Sequence, residues 1–169
     1  MTGLTWAVAA VVVDDAGRVL LCRHGGGERR WALPGGRLHR PHCPTAAVAT
    51  EIRRETGRRV EPVDLIGLYH LSGTPCGRPS PVEPVPDVVV HVFRARAGGP
   101  VGEPPAGCRL AWHPPDALPA ELTPVTRAAV ADAVAGRSGV LRDLRPEELS
   151  GPAAPAPRAT ADRPAHPRP

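Results

Sequence analysis

The sequence predicts an α/β or α+β domain in which a sheet lies between helices. Three observations lead there. β-rich runs and helical runs interleave along the chain, as far as a Pro/Ala-rich end. Two early runs, TWAVAAVVVD (5–14) and VLLCRH (19–24), are joined by Asp15-Ala16-Gly17-Arg18, whose Asp-Ala-Gly turn makes a hairpin. The run PTAAVATEIRRET (44–56) places Ala47, Val48 and Ile52 on one stripe at the helical period, between a proline start and the Gly57 stop.

After the hairpin, a loop over 24–30 carries three consecutive glycines, and Trp31-Ala32-Leu33 runs into Pro34-Gly35-Gly36, where regular structure is expected to break. In the 44–56 helix Pro44 suits the first helical position, since its missing N–H has no partner there anyway. Strands are expected at about 64–71 and 87–97. Between them SGTPCGRPSPVEPVP (72–86) holds five prolines and reads as an exposed loop. A shorter strand over 109–113 precedes a turn at 114–118. A second helix over 123–135 opens with Thr123 as N-cap and Pro124 at the first position. No internal repeat is visible. Residues 1–145 are read as one domain and 146–169 as a disordered Pro/Ala/Arg-rich tail, too poor in apolar surface to offset its ordering entropy.

Composition bounds the function classes. Val, Leu, Ile and Phe make up 36 of 169 residues, just above the ~20% below which chains stay disordered. No apolar stretch approaches the ~18–20 residues that span a bilayer. The run AVAAVVV (7–13) lacks a preceding basic residue and is followed by Asp14-Asp15, unlike a signal peptide. A soluble cytoplasmic protein is expected. All 21 basic residues are Arg, and the net charge of +4 is modest. With Arg scattered and one Tyr and one Phe to stack on bases, the chain is a poor nucleic-acid binder. A mild positive field suits small anionic ligands. Cys22, Cys43, Cys76 and Cys108 form no CxxC pair and are read as free thiols.

The informative segment is Leu33-Pro34-Gly35-Gly36 followed by a helix bearing Glu51 and Glu55. Carboxylates at i and i+4 share one helix face, ~5–6 Å apart at Cβ. Two such groups repel unless a cation lies between them or each finds an Arg. Hard divalent cations bind through one or two carboxylates, waters and substrate phosphates. A glycine pair upstream lets backbone groups approach a metal–phosphate cluster. The alternative is a solvated helix face, with Glu51 paired to Arg54 or Arg58 and Glu55 to Arg58 or Arg59.

Leu33-Pro34-Gly35-Gly36, then Ala46-Ala47, then Glu51-Ile52-Arg53-Arg54-Glu55-Thr56-Gly57 resembles the Nudix box, G-x5-E-x7-R-E-U-x-E-E-x-G-U, where U is a bulky aliphatic residue. Anchored on Gly36 the spacing fits without a gap, and the flanking order is similar over roughly residues 4–136. The box is degenerate: His42 stands for its first Glu, Thr50 for its Arg, Arg54 for one helix Glu and Arg58 for the last aliphatic. Ala106 occupies a place, about six residues before Trp112, that is often acidic in the family.

The resemblance implies a single-domain α/β/α sandwich with a mixed, partly curved sheet, and hydrolysis of a diphosphate bond in a nucleoside diphosphate derivative. Such chemistry depends on positioning and charge neutralisation. By analogy Glu51 and Glu55 ligate Mg²⁺ or Mn²⁺, one of them orienting or deprotonating water, and Gly36 adds a backbone ligand. Arg37 and Arg54 contact substrate phosphate. Arg54 has two readings: it forks onto phosphate oxygens, or it pairs with Glu51 and blocks metal entry. The second functional reading is a catalytically impaired domain that binds a nucleotide or phosphometabolite as a sensor or scaffold. A Nudix-fold isomerase acting on allylic diphosphates is weaker, because it too needs an acid-rich metal site. A homodimer is possible in either case.

The remaining features carry less. His39, His42 and Cys43 cluster before the helix, and imidazole and thiolate suit Zn²⁺, but no second ligand pair lies nearby in sequence. His42 is also weighed as a stand-in for the missing Glu. Trp31 is expected under the sheet rather than at a cleft, with Trp112 and Phe93 in the core. Arg23 flanks the phosphate site as a further possible anion contact. Glu83 and Asp87, at the end of the proline-rich loop, could bring in a replacement carboxylate.

Overall fold

The structure, a computed structural model, describes residues 4–24, 30–39, 43–72 and 87–144. Its elements are β1 (Thr5–Val13), β2 (Val19–His24), β3 (Gly35–Arg37), α1 (Pro44–Thr56), β4 (Arg58–Leu71), β5 (Val88–Pro100), β6 (Cys108–His113), α2 (Pro124–Val134) and β7 (Val140–Leu144). One seven-stranded mixed sheet runs β6-β2-β1-β5-β4-β7, with β3 paired to β1. The β1–β5 and β4–β7 pairs are parallel, and the others are antiparallel.

β1 lies inside this sheet with both faces covered, which explains why its sequence is continuously apolar rather than alternating. Val8, Ala10 and Val12 pack with Leu20, Phe93 and the α1 stripe of Ala47, Val48 and Ile52. Ala9 and Val11 face the other way and pack with Val19, Leu21, Ile66, Tyr69, Val92 and the α2 residues Ala129 and Val130. The result is the expected α/β/α sandwich. Burying Val48 and Ile52 completely is worth ~1.5–3 kcal/mol each, and this holds α1 against the sheet.

The helix ends follow the sequence signals. Pro44 starts α1, and Gly57 ends it in the left-handed region at φ 65°, its N–H donating to the Arg53 carbonyl. A side chain at Gly57 would collide with the Gly102 backbone, so both the turn and the close approach demand glycine. Thr123 caps α2, its hydroxyl accepting from the Thr126 N–H. On the far side of the sheet Asp132, 1% exposed, anchors α2. It accepts from Tyr69 Oη at 2.8 Å and Arg142 Nε at 2.9 Å, and forms an ion pair with Arg137 Nε at 2.9 Å. The Arg142 hydrogen bonds, then those of Tyr69 and the nearby guanidinium charges, hold the Asp132 carboxyl below its usual range against the effect of burial.

Two sequence expectations need correction, and one element has no counterpart among them. Gly35–Arg37 is a short strand rather than a break, because β1 offers it an antiparallel edge. β4 begins at Arg58 rather than near Asp64, and its register shifts around Pro62 show why RRVEPV lacked a clean strand pattern. β7 was not expected at all: VLRDL is a short edge strand added in parallel to β4, with Leu141 fully outside the core. The loop expected over 72–86 lies outside the described residues from 73 onward, as do His42, Cys76 and Glu83 and the tail from 145. Among the described residues, no helix is long and apolar enough to cross a membrane.

Candidate functional site

The site forms where β1 and β2 diverge. Their antiparallel register contains the pair Val13–Val19, after which β2 turns its edge to Ala32 and β3 takes the edge of β1. The second half of α1 crosses over this notch. Glu55 reaches into it: the Gly35 N–H donates to Glu55 Oε2 at 2.6 Å, and Oε1 lies 2.5 Å from His24 Nε2 and 3.5 Å from Cys22 Sγ. One turn earlier, Glu51 lies directly over Gly36. A Cβ on Gly36 would collide with the Glu51 carboxylate, and one on Gly35 with the β1 backbone. Gly35 is therefore demanded by space, since a side chain there would meet the β1 backbone, whereas one at Gly36 would displace the flexible end of Glu51.

The carboxylates are largely sheltered, with 14% of the Glu51 side chain and 11% of Glu55 exposed. Each has one cationic or potentially cationic partner on the solvent side. Arg54 Nη2 donates to Glu51 Oε2 across one helical turn, and its side chain is 74% exposed. His24, 58% exposed, covers Glu55. Of the pairings considered for a solvated helix face, Glu51–Arg54 is present, while Glu55 takes a histidine of β2 instead of a helix arginine.

The structure thus brings Gly36, Glu51, Arg54 and Glu55 to one place. Arg37 follows Gly36 on β3, is exposed, and by strand alternation turns to the face opposite Glu51. The β1–β3 bonds Ala10 N–H to Pro34 and Leu38 N–H to Trp6 put Gly36 in the bonding phase with Val8. Its carbonyl therefore faces β1, and its second lone pair is what remains for a ligand.

Around this centre, Trp31 is buried in the core as expected, with the Arg23 guanidinium 5.2 Å from its ring centroid. Phe93 is buried, and Trp112 packs at the edge of the α1-side core. Arg58, in the aliphatic position of the box, lies with its guanidinium 5.5 Å from the Trp112 ring centroid, so a cation–π contact replaces an aliphatic one. Asp87 lies 3.9 Å from His70 at the far end of the sheet pairing and is not part of this cluster. His39 and Cys43 are exposed, and neither is in a metal-competent group among the described residues.

The residues that sequence reasoning passed over are Cys22, His24 and Cys108. Cys22 and His24 are two apart on β2 and so share the face toward α1, and the β2–β6 register sets Cys108 directly opposite His24. Burial first, then the charge and hydrogen bond of Glu55, push the Cys22 thiol far up. Burial and Glu55 likewise raise Cys108. A Cys-x-His on one strand was the available signal, but its link to a helix residue 31 positions later exists only in the fold.

Two carboxylates converging on a paired-glycine bend form a donor set of the kind a hard divalent cation uses. Both solvent-side partners, Arg54 and His24, are exposed enough to swing away. The chemistry of the donors therefore fits Mg²⁺ or Mn²⁺ once Arg54 releases Glu51.

The family model of the NUDIX domain matches residues 3–133. A MutT-like protein of Streptomyces ambofaciens is 33% identical over 131 residues, covering 77% of each chain. The solved MutT NUDIX hydrolase of Burkholderia pseudomallei superposes with a TM-score of 0.64 at 25% identity, covering 77% of this chain and 98% of that one. A NUDIX hydrolase of Nitrosomonas europaea gives 0.67 at 24% identity, over 81% and 93%, a likeness of fold.

Proposed function

Because the chain belongs to the Nudix family, we propose that it hydrolyses the diphosphate bond of a nucleoside diphosphate derivative in the presence of Mg²⁺ or Mn²⁺. The observation that carries this reading is the delivery of the Glu51 and Glu55 carboxylates onto the Gly35-Gly36 bend. Glu51, Glu55 and the Gly36 carbonyl would hold the cation. When bound, it supplies the positive charge that a diphosphate needs as negative charge develops during cleavage.

The chain's own residues do the rest. The Gly35 N–H fixes one oxygen of Glu55, and the other would orient or deprotonate a water once the exposed His24 side chain swings off it. Arg54, once free of Glu51, forks onto phosphate oxygens, for which its planar donors are suited. Arg37, on the opposite face of β3 from Glu51, is left out of the substrate contacts. Beneath the site the sheet is closed to water, since Val8, Val48 and Ile52 are fully buried, whereas the Arg54 side is open to solvent.

The Glu51–Arg54 pair favours a second reading, in which Arg54 keeps its partner and the domain binds a phosphorylated ligand without turnover. One experiment separates them. The protein is incubated with Mg²⁺ or Mn²⁺ and nucleoside triphosphates, ADP-ribose, dinucleotides and nucleotide sugars, and phosphate or pyrophosphate release is measured. Turnover that Glu55→Gln abolishes supports hydrolysis. Saturable nucleotide binding without product supports the binding domain and overturns hydrolysis.

A further inference from the structure

We propose that Cys22 Sγ, His24 Nε2 and a Glu55 carboxylate oxygen form a binding site for a borderline divalent transition-metal ion such as Zn²⁺ or Co²⁺. The three ligand atoms lie within 4.8 Å of one another and come from two rigid elements, β2 and α1. The inference does not depend on hydrolysis, although the two sites share Glu55 and compete for it.

Donor chemistry sets this site apart from the carboxylate site. Mg²⁺ takes oxygen ligands, whereas imidazole and thiolate select borderline ions. Metal–ligand lengths of ~2.3 Å to sulfur and ~2.0–2.1 Å to nitrogen or oxygen imply tetrahedral separations of about 3.6 Å for S···O and about 3.4 Å for N···O. The Cys22 Sγ to Glu55 Oε1 distance of 3.5 Å already matches. The His24–Glu55 distance of 2.5 Å must open by about 1 Å to reach the tetrahedral value. His24, at a strand end and 58% exposed, has room for this. As the sulfur–metal bond forms, the thiol proton passes to solvent. Cys22 is 1% exposed and Glu55 is held by the Gly35 N–H, so the two inner ligands are pre-positioned and the outer one closes. Cys108, opposite His24 but outside the three-atom group, leaves the fourth position to solvent or an incoming ligand. Three protein ligands with one open position are typical of reactive rather than purely structural zinc sites.

The test is Co²⁺ titration of the full chain without added Mg²⁺, read by absorption. A near-ultraviolet thiolate-to-metal charge-transfer band saturating at one equivalent, and bleached by Zn²⁺, is the expected result. Cys22→Ser should abolish the band, and His24→Ala, at an exposed side chain, should weaken Zn²⁺ binding at least tenfold in a chelator competition. A wild-type protein without the band overturns the proposal. So does a band that survives Cys22→Ser, or Zn²⁺ binding unchanged in His24→Ala. Mg²⁺-supported diphosphate hydrolysis, measured on the same preparations before Co²⁺ is added, separates the two ideas. Hydrolysis without the band removes only this site, and the band without hydrolysis removes only the hydrolase reading.

Discussion

Arg54→Ala tests what the guanidinium does at the site. Arg54 donates to Glu51 from a position 74% exposed, so the pair is screened by water. Exposed ion pairs contribute ~0.2–1 kcal/mol, and the upper end of that range is about fivefold in an equilibrium constant. Removing the side chain should therefore tighten Mn²⁺ binding by about two- to fivefold in calorimetry without nucleotide. Thermal stability should change by less than about 1 kcal/mol, because the pair is held from an exposed arginine and water can replace it at Glu51. Substrate should respond in the opposite direction. A charge-assisted hydrogen bond is worth ~1.5–3 kcal/mol, and Arg54's exposure keeps it near the lower bound, so KM for a nucleotide substrate should rise about tenfold. Tighter metal and weaker substrate in one variant is the signature of an arginine that trades Glu51 for phosphate. Unchanged or weaker Mn²⁺ binding would refute the idea that Arg54 competes with the cation.

Other variants probe the frame of the site. Gly36→Ala places a methyl group where the Glu51 carboxylate now lies, so Mn²⁺ binding by calorimetry should fall at least tenfold while circular dichroism stays folded. Asp132→Asn should lower stability by about 2–4 kcal/mol in urea unfolding, since the buried Tyr69 hydroxyl and two guanidinium groups lose a charged partner. The folded pKa of Asp132 lies below its unfolded value of ~3.9. Its contribution is thus complete above that pH and is lost as pH falls through the lower folded value, so the wild type should lose stability there more steeply than Asp132→Asn. Ile52→Ala should cost ~2–5 kcal/mol, and activity at a temperature where the variant stays folded should fall if α1 shifts off the bend.

The sequence by itself determined the layers and the location of the chemistry. Ala47, Val48 and Ile52 at helical spacing, Pro44 and Gly57 at the ends, and an unbroken apolar β1 are local patterns, because hydrophobic period and backbone constraint are properties of neighbouring residues. The same holds for Glu51 and Glu55, one turn apart downstream of paired glycines. Only the tertiary structure decided who their partners are. The sequence left Glu51 to Arg54 or Arg58, and the rotamer over Gly36 gives it Arg54. His24 meets Glu55 because β2 splays from β1 at the notch where β3 inserts, a long-range pairing with no local signature. Strand β7 escaped notice for the same reason: an edge strand of five residues gains its order from β4, not from its own pattern. Propensity and period act over a few residues, whereas strand pairing and carboxylate partnership are settled by where the packed core leaves an open edge.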